Sequence, residues 1–426
     1  MNRMLYVYKS MLNKLQNDWR RHIIFFFAGL MLAGLFLPRA FLTISMTGFA
    51  AAALADKNFG QYVHRFFSTP LLWGMSLLFF VPLLTGLWSE DAEKWLEMVR
   101  IKLPLLVLPL AFAGAVSLSA RQWKWLAILL VLLVTAGTLW SVFHYAQDMQ
   151  TVNEAYLQAK AMLTPLQNDR IRFSWLVVIA VLTNGWLVYQ KIGTRKAAAI
   201  VLFLVAVWLV IYLHLLAVRT GLFSFYLAMI IAAGWLILKK LKRQYGLMLL
   251  FLVFLLPVLA FFFIPTFQNR VKYIRYEAGY FLKANYLPGG NDAIRVISLK
   301  AGSSVMLQNP FIGTGFGDVP SAANEWYRKN YPAMQEQDKV YPASEWLMYG
   351  AGAGLPGFIV FTVSILIPFF TRVRHQLPWW ILNAAAAFSF LFDIGLEVQF
   401  GVFIYAFTVL WWWKWMGFPQ SHQDHW

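Results

Sequence analysis

Apolar residues in this chain run in long unbroken stretches, without the period-two alternation of a half-buried strand. A bilayer crossing needs roughly 20 mostly apolar residues. Backbone groups in lipid must be satisfied within the segment, so these stretches read as helices. They fall at approximately 23–37, 40–55, 71–88, 99–115, 122–143, 173–190, 196–215, 220–238, 246–264, 350–370, 378–396 and 399–415. The expected fold is an all-α polytopic membrane protein of about twelve spans. The first two spans break at Leu37-Pro38-Arg39, where a proline and a charge interrupt one overlong helix. The fourth contains Lys102 and Pro104 and is a candidate for partial re-entry.

One long polar stretch, 266–345, stands out against this pattern. The chain therefore divides into a segment 1–22, spans one to nine over 23–265, a mostly helical loop over 266–345, spans ten to twelve over 346–415, and a tail over 416–426. In 1–22, Leu5, Tyr8, Leu12, Leu15 and Trp19 recur at helical spacing among Lys9, Lys14, Arg20 and Arg21. That pattern predicts an amphipathic helix lying on the inner membrane surface.

Composition agrees with the pattern: 60% of residues are apolar and 13% charged, too few charges for a soluble chain of 426 residues. The net charge of +17 does not point to nucleic acid, because the basic residues are spread between spans instead of forming one face. With the N-terminus inside and spans alternating, every inner loop is net positive, including Arg121 with Lys124 and Arg372 with Arg374. Both termini are then cytoplasmic. The long loop, with nine basic and seven acidic residues, is then outside, in the periplasm of a Gram-negative cell. The chain has no cysteine, which excludes disulfides and thiolate sites.

Several residues carry candidate chemistry. Arg219 opens span eight at the outer side, where the positive-inside bias does not account for it. A guanidinium and helix N-terminal N–H groups can converge there on a phosphate. Arg295 lies in the loop. Arg270, Lys272 and Arg275 cluster after span nine, and Arg172 opens span six. Together these make the outer face able to hold a diphosphate. No His, Asp and Glu cluster has metal-ligand spacing, so neither metal nor cofactor is expected. The run Asn309-Pro310-Phe311-Ile312-Gly313-Thr314-Gly315-Phe316-Gly317 lacks the spacing of a dinucleotide fingerprint and reads as a tight turn allowing close backbone approach. The loop has no histidine. Candidates for an outer general base are His144, His214 and the carboxylates, foremost Glu345 at the loop exit. The aromatic residues, Phe and Trp above all, read as mostly lipid-facing or interfacial.

These features resemble the O-antigen ligase and polymerase superfamily of bacterial lipid-linked glycan transferases. The resemblance lies in Arg219-Thr220-Gly221 opening a span, Arg295 with Asn309-Pro310 and Gly313, Gly315 and Gly317 in the loop, and Glu345-Trp346-Leu347 before Gly354-Leu355-Pro356-Gly357. Trp88-Ser89-Glu90-Asp91, Arg172-Phe173-Ser174 and Leu396-Glu397-Val398-Gln399 resemble its Bacteroidetes branch. The resemblance implies an inverting, metal-independent glycosyl transfer at the outer face of the inner membrane. The donor would be a glycan on undecaprenyl diphosphate, and the acceptor lipid A-core (a ligase) or another glycan (a polymerase). By the resemblance Arg219 and Arg295 would bind the diphosphate; the basic outer face adds Arg172 and Arg275 as candidates, and Glu345 or His214 are candidates for the base. The family's exit motif begins with His-Asn, the His serving as base; this chain has Ala343-Ser344 there. Alternatives are a twelve-span transporter or flippase, and an inactive scaffold relative. The off-centre loop and the charges at the outer span ends argue against the transporter.

Overall fold

The computed structural model describes residues 19–55, 58–189, 196–239 and 243–417. The surface helix expected over 1–22 and the tail over 416–426 fall almost wholly outside these. No strand occurs among the described residues.

A helix over 19–34, α1, turns back at Pro38 into α2 (Arg39–Leu54), so the proline break is real. Arg20 closes this hairpin by donating to the Ala52 and Ala53 carbonyls at 2.6 and 2.8 Å, at the C-terminal end of α2. There follow α3 (Phe59–Ser68), α4 (Pro70–Leu84), α5 (Ala92–Lys102) and α6 (Pro104–Ala113). The fourth expected span is thus corrected to two helices meeting at Leu103-Pro104. The ring of Pro104 starts α6 and cannot continue α5. At 1.5 Å per residue, the ten residues of α6 rise only about half the thickness of a hydrocarbon core of about 30 Å.

The chain continues through α7 (Ala120–Gln147), α8 (Met149–Ala155), the single turn α9 (Pro165–Asn168), α10 (Arg170–Tyr189), α11 (Lys196–Leu216), α12 (Arg219–Leu238) and α13 (Arg243–Phe263). The polar stretch is helical as expected: α14 (Pro265–Phe281), α15 (Asp292–Gln308) and α16 (Val319–Asn330). α15 and α16, with Met334 after them, close a small core of Ile294, Ile297, Ala301, Ala323, Tyr327 and Met334. The chain ends in α17 (Glu345–Leu366), α18 (Leu377–Phe392) and α19 (Gln399–Met416).

Seven helices among the described residues are long and apolar enough to cross a membrane: those beginning at Pro70, Ala120, Arg170, Lys196, Arg219, Arg243 and Glu345. Arg39–Leu54 and Leu377–Phe392 are apolar but shorter. α19 is apolar on all sides and almost entirely enclosed by protein, so it forms the bundle's central rod. Its Trp411 and Trp415 rings stack at 5.8 Å, as Phe403 and Phe407 do at 5.2 Å. That corrects the expectation for these aromatics: Trp411, Trp412 and Trp415 face the core, not lipid.

Candidate functional site

Three helix N-termini converge at one end of the bundle. α10 brings Arg170 and Ile171; the α11–α12 turn brings Ala217, Val218, Arg219 and Thr220; α15 brings Asn291 and Arg295. Arg270 of α14 completes a cleft with a cavity volume of about 70 Å³. The first turns of these helices carry the positive ends of the peptide dipoles, with Asp169 accepting from the Arg172 N–H of α10. Four guanidiniums stand over them. The arrangement suits a small, highly charged anion.

Local sequence accounts for the convergence. Ala217 takes a φ of 46°, a left-handed residue that reverses the chain between α11 and α12. Gly221 lies where a Cβ would meet the Ser174 side chain at 2.6 Å, so its missing side chain lets α12 close on α10. That contact brings the starts of the two helices to one cleft. Glu277 of α14 is fully buried and caps α15 from outside, its Oε1 accepting from the N–H groups of Asp292 and Ala293 at 2.6 and 3.1 Å.

Tyr156, which sequence reasoning did not single out, braces the cleft. Its ring centroid lies 4.9 Å from the Arg270 guanidinium. Its hydroxyl donates to the Leu216 carbonyl at 2.9 Å and accepts from the Met162 N–H at 3.3 Å. Burial pushes that hydroxyl up to about 12, so it remains a donor at any working pH. The following carbonyls hold the cleft's polar side chains. Lys160 accepts from Arg270 at 2.6 Å, and Ala159 accepts from Asn291 at 3.2 Å and from Arg170 at 3.4 Å. Burial pulls the Arg270 guanidinium below its ordinary value, and Arg170 adds to this. A cation so placed gains from an anionic partner.

Of the residues expected to hold a diphosphate, Arg219 and Arg295 line the cleft and Arg172 and Arg275 do not. Arg172 turns to the α18–α19 connection, pairing with Asp393 at 3.2 Å and donating to the Ile394 carbonyl at 2.7 Å. Arg275 is exposed on α14. Their places are taken by Arg170 and Arg270.

Neither expected base lines the cleft. His214 is buried among Phe225, Tyr226 and Phe267, with Nδ1 at 2.7 Å from the Val210 carbonyl and Nε2 at 2.5 Å from the Tyr226 hydroxyl. Glu345 is fully buried at the start of α17 and accepts from the Leu396 N–H through Oε1, while Oε2 has no hydrogen-bond partner. Lys102, also fully buried, donates to Glu397 Oε1 at 2.5 Å and to the Leu396 carbonyl at 3.0 Å. This sealed junction ties α5, α17 and the α18–α19 turn together. Ala343 is buried and its N–H donates to Ser298 Oγ at 3.1 Å.

The glycine run also has a structural place. α17 is broken at Ala353 and Gly354, where Gly354 has a φ of 67°. Thr314 and Gly315 N–H groups donate to the freed Ala351 and Gly352 carbonyls at 2.9 and 3.0 Å. Leu355 N–H returns a bond to the Pro310 carbonyl at 2.7 Å. The Gly313 N–H donates to the Asn309 carbonyl at 2.9 Å. A Cβ on Gly313 would meet the Gly352 backbone, and one on Gly317 the Asp91 carbonyl. Close backbone approach is what the run provides. Among the described residues, no group of three or more His, Asp or Glu could hold a metal.

Residues 204–362 match the family model described as O-antigen ligase. The match supports the superfamily of O-antigen ligase and polymerase membrane glycosyltransferases. No curated protein matches the chain. The matched segment contains Arg219, Arg270, Arg295, the glycine run and Glu345; Arg170, Tyr156, Lys102 and Glu397 lie outside it.

Proposed function

We propose that the protein transfers a glycan from undecaprenyl diphosphate to lipid A-core at the outer face of the bacterial inner membrane, with inversion and without a metal. The observation that carries this is the cleft itself: four arginines and three helix N-termini around one small cavity. As the anomeric C–O bond breaks, negative charge grows on the bridging oxygen of the diphosphate. Arg270 and Arg295 would meet that charge with donors already in place, without the reorganisation that water would need, and Arg219 would join them. The guanidiniums supply the charge that a divalent ion supplies elsewhere. The acceptor hydroxyl would attack from the face of the sugar opposite the cleft, which sets the inversion, and its proton would pass to solvent water as the new C–O bond forms.

His214 and Glu345 are enclosed and Ala343 has no proton acceptor, so positioning and leaving-group stabilisation carry the rate in this reading. A glycosyl diphosphate is a good electrophile, and general-base help contributes only about 10²–10⁴-fold where it exists.

Reconstitution with undecaprenyl-diphosphate glycan and lipid A-core tests the proposal. Arg219→Ala and Arg295→Ala should each slow transfer, and EDTA should leave it unchanged. Equal transfer by wild type and both variants would remove the cleft from the reaction. A product with glycan chains lengthened on the lipid diphosphate, and none on lipid A-core, would make the protein a polymerase.

A further inference from the structure

A carboxylate stands beside the cleft. Asp292, the first residue of α15, forms an ion pair with Arg219. Nothing in the fold requires that side chain as a cap, because Glu277 already accepts from the first two N–H groups of the helix. The pair also differs in setting from the other long-range ion pairs among the described residues. Lys102–Glu397 has side chains 0% and 5% exposed, and Arg172–Asp393 has 8% and 8%. In Arg219–Asp292 they are 18% and 22% exposed. Water reaches this pair, so its ions can part without being stranded in a dry interior.

Resting on the diphosphate reading of the cleft, we propose that Asp292 is an exchangeable counter-ion. It occupies Arg219 when the cleft is empty, yields it to the donor's diphosphate, and recaptures it as the product diphosphate leaves. Arg170, Arg270 and Arg295 crowd the same cavity. Glu277 is tied to the α15 N–H groups, and four cations with no exchangeable anion would hold the released diphosphate too firmly for turnover. Asp292 competes at the arginine it pairs with and lowers affinity for substrate and product diphosphate alike. Asp292 sits on the leaving-group side, paired with a diphosphate-binding arginine, and not where an acceptor hydroxyl would approach.

The test uses the full chain in nanodiscs, with inorganic pyrophosphate as the probe in titration calorimetry. Asp292→Asn preserves shape and Asp292→Ser removes bulk. Both should bind pyrophosphate about tenfold more tightly, equivalent to ~1.4 kcal/mol. In both, added undecaprenyl diphosphate should inhibit transfer at correspondingly lower concentration. Unchanged or weaker binding in both variants, with Arg270→Ala weakening it, overturns the counter-ion role alone. If wild type binds no pyrophosphate, or Arg270→Ala binds it equally, the diphosphate reading fails and this inference with it. Loss of single-turnover transfer in Asp292→Asn at unchanged pyrophosphate affinity would also overturn it, making Asp292 a proton acceptor.

Discussion

The arginine cleft and the lysine–carboxylate junction use the same residue types to opposite ends. At the cleft, Arg170, Arg219, Arg270 and Arg295 border a cavity and outnumber the acids beside them, Asp292 and Glu277. In the junction, Glu345 and Glu397 outnumber Lys102, and all three are sealed in the protein. Unbalanced charge beside a cavity can be neutralised by a ligand. Unbalanced charge in a sealed site has only its neighbours, and serves to fasten elements to each other. Loop-exit position made Glu345 look reactive, but access assigns it to the fastening.

The sharpest way to break this contrast is Lys102→Met. Two buried carboxylates would lose their cation, and stability in detergent should fall by about 3–5 kcal/mol. Unfolding at the wild-type midpoint would mean that the junction fastens nothing. Adding Glu397→Gln should recover part of the loss. Next is Arg270→Ala, which should lower transfer about 10²–10³-fold, as loss of a donor to developing charge does. Its melting point should move less than that of Lys102→Met. Tyr156→Phe should cost about 1–3 kcal/mol, because the Leu216 carbonyl and Met162 N–H lose a buried partner. Melting and transfer measured together would show whether the brace matters to the cleft as well as to the fold. Arg275→Ala should have the smallest effect, with transfer within error of wild type. A loss comparable to that of Arg270→Ala would place the diphosphate differently on α14.

Much of the cleft was legible. Arg219 is a charge at the start of an apolar run, and Arg295 stands in the polar stretch that separates two such runs. The choice between near neighbours was not. Arg170 and Arg172 are two residues apart on one helix, a rotation of about 200°. Arg170 therefore faces the cleft and Arg172 the α18–α19 turn. Arg270 and Arg275 are separated by about 140° on α14 in the same way. Composition and topology select the right end of the right helix, but the face depends on what packs beside it.

The sequence alone determined an all-helical, membrane-type chain, a helical polar insert, a break at Pro38, and a basic group at one end of the bundle. Each follows from local rules: apolar run length, proline geometry, and the cost of charge near lipid. Only the tertiary structure decided that Arg170 and Arg270 join Arg219 and Arg295, that Tyr156 braces them, that Asp292 answers them, and that His214 and Glu345 are closed off. These are contacts between residues tens to hundreds of positions apart. They depend on helix rotation and on close approaches such as that of Gly221 to Ser174, which no pattern along a single helix encodes.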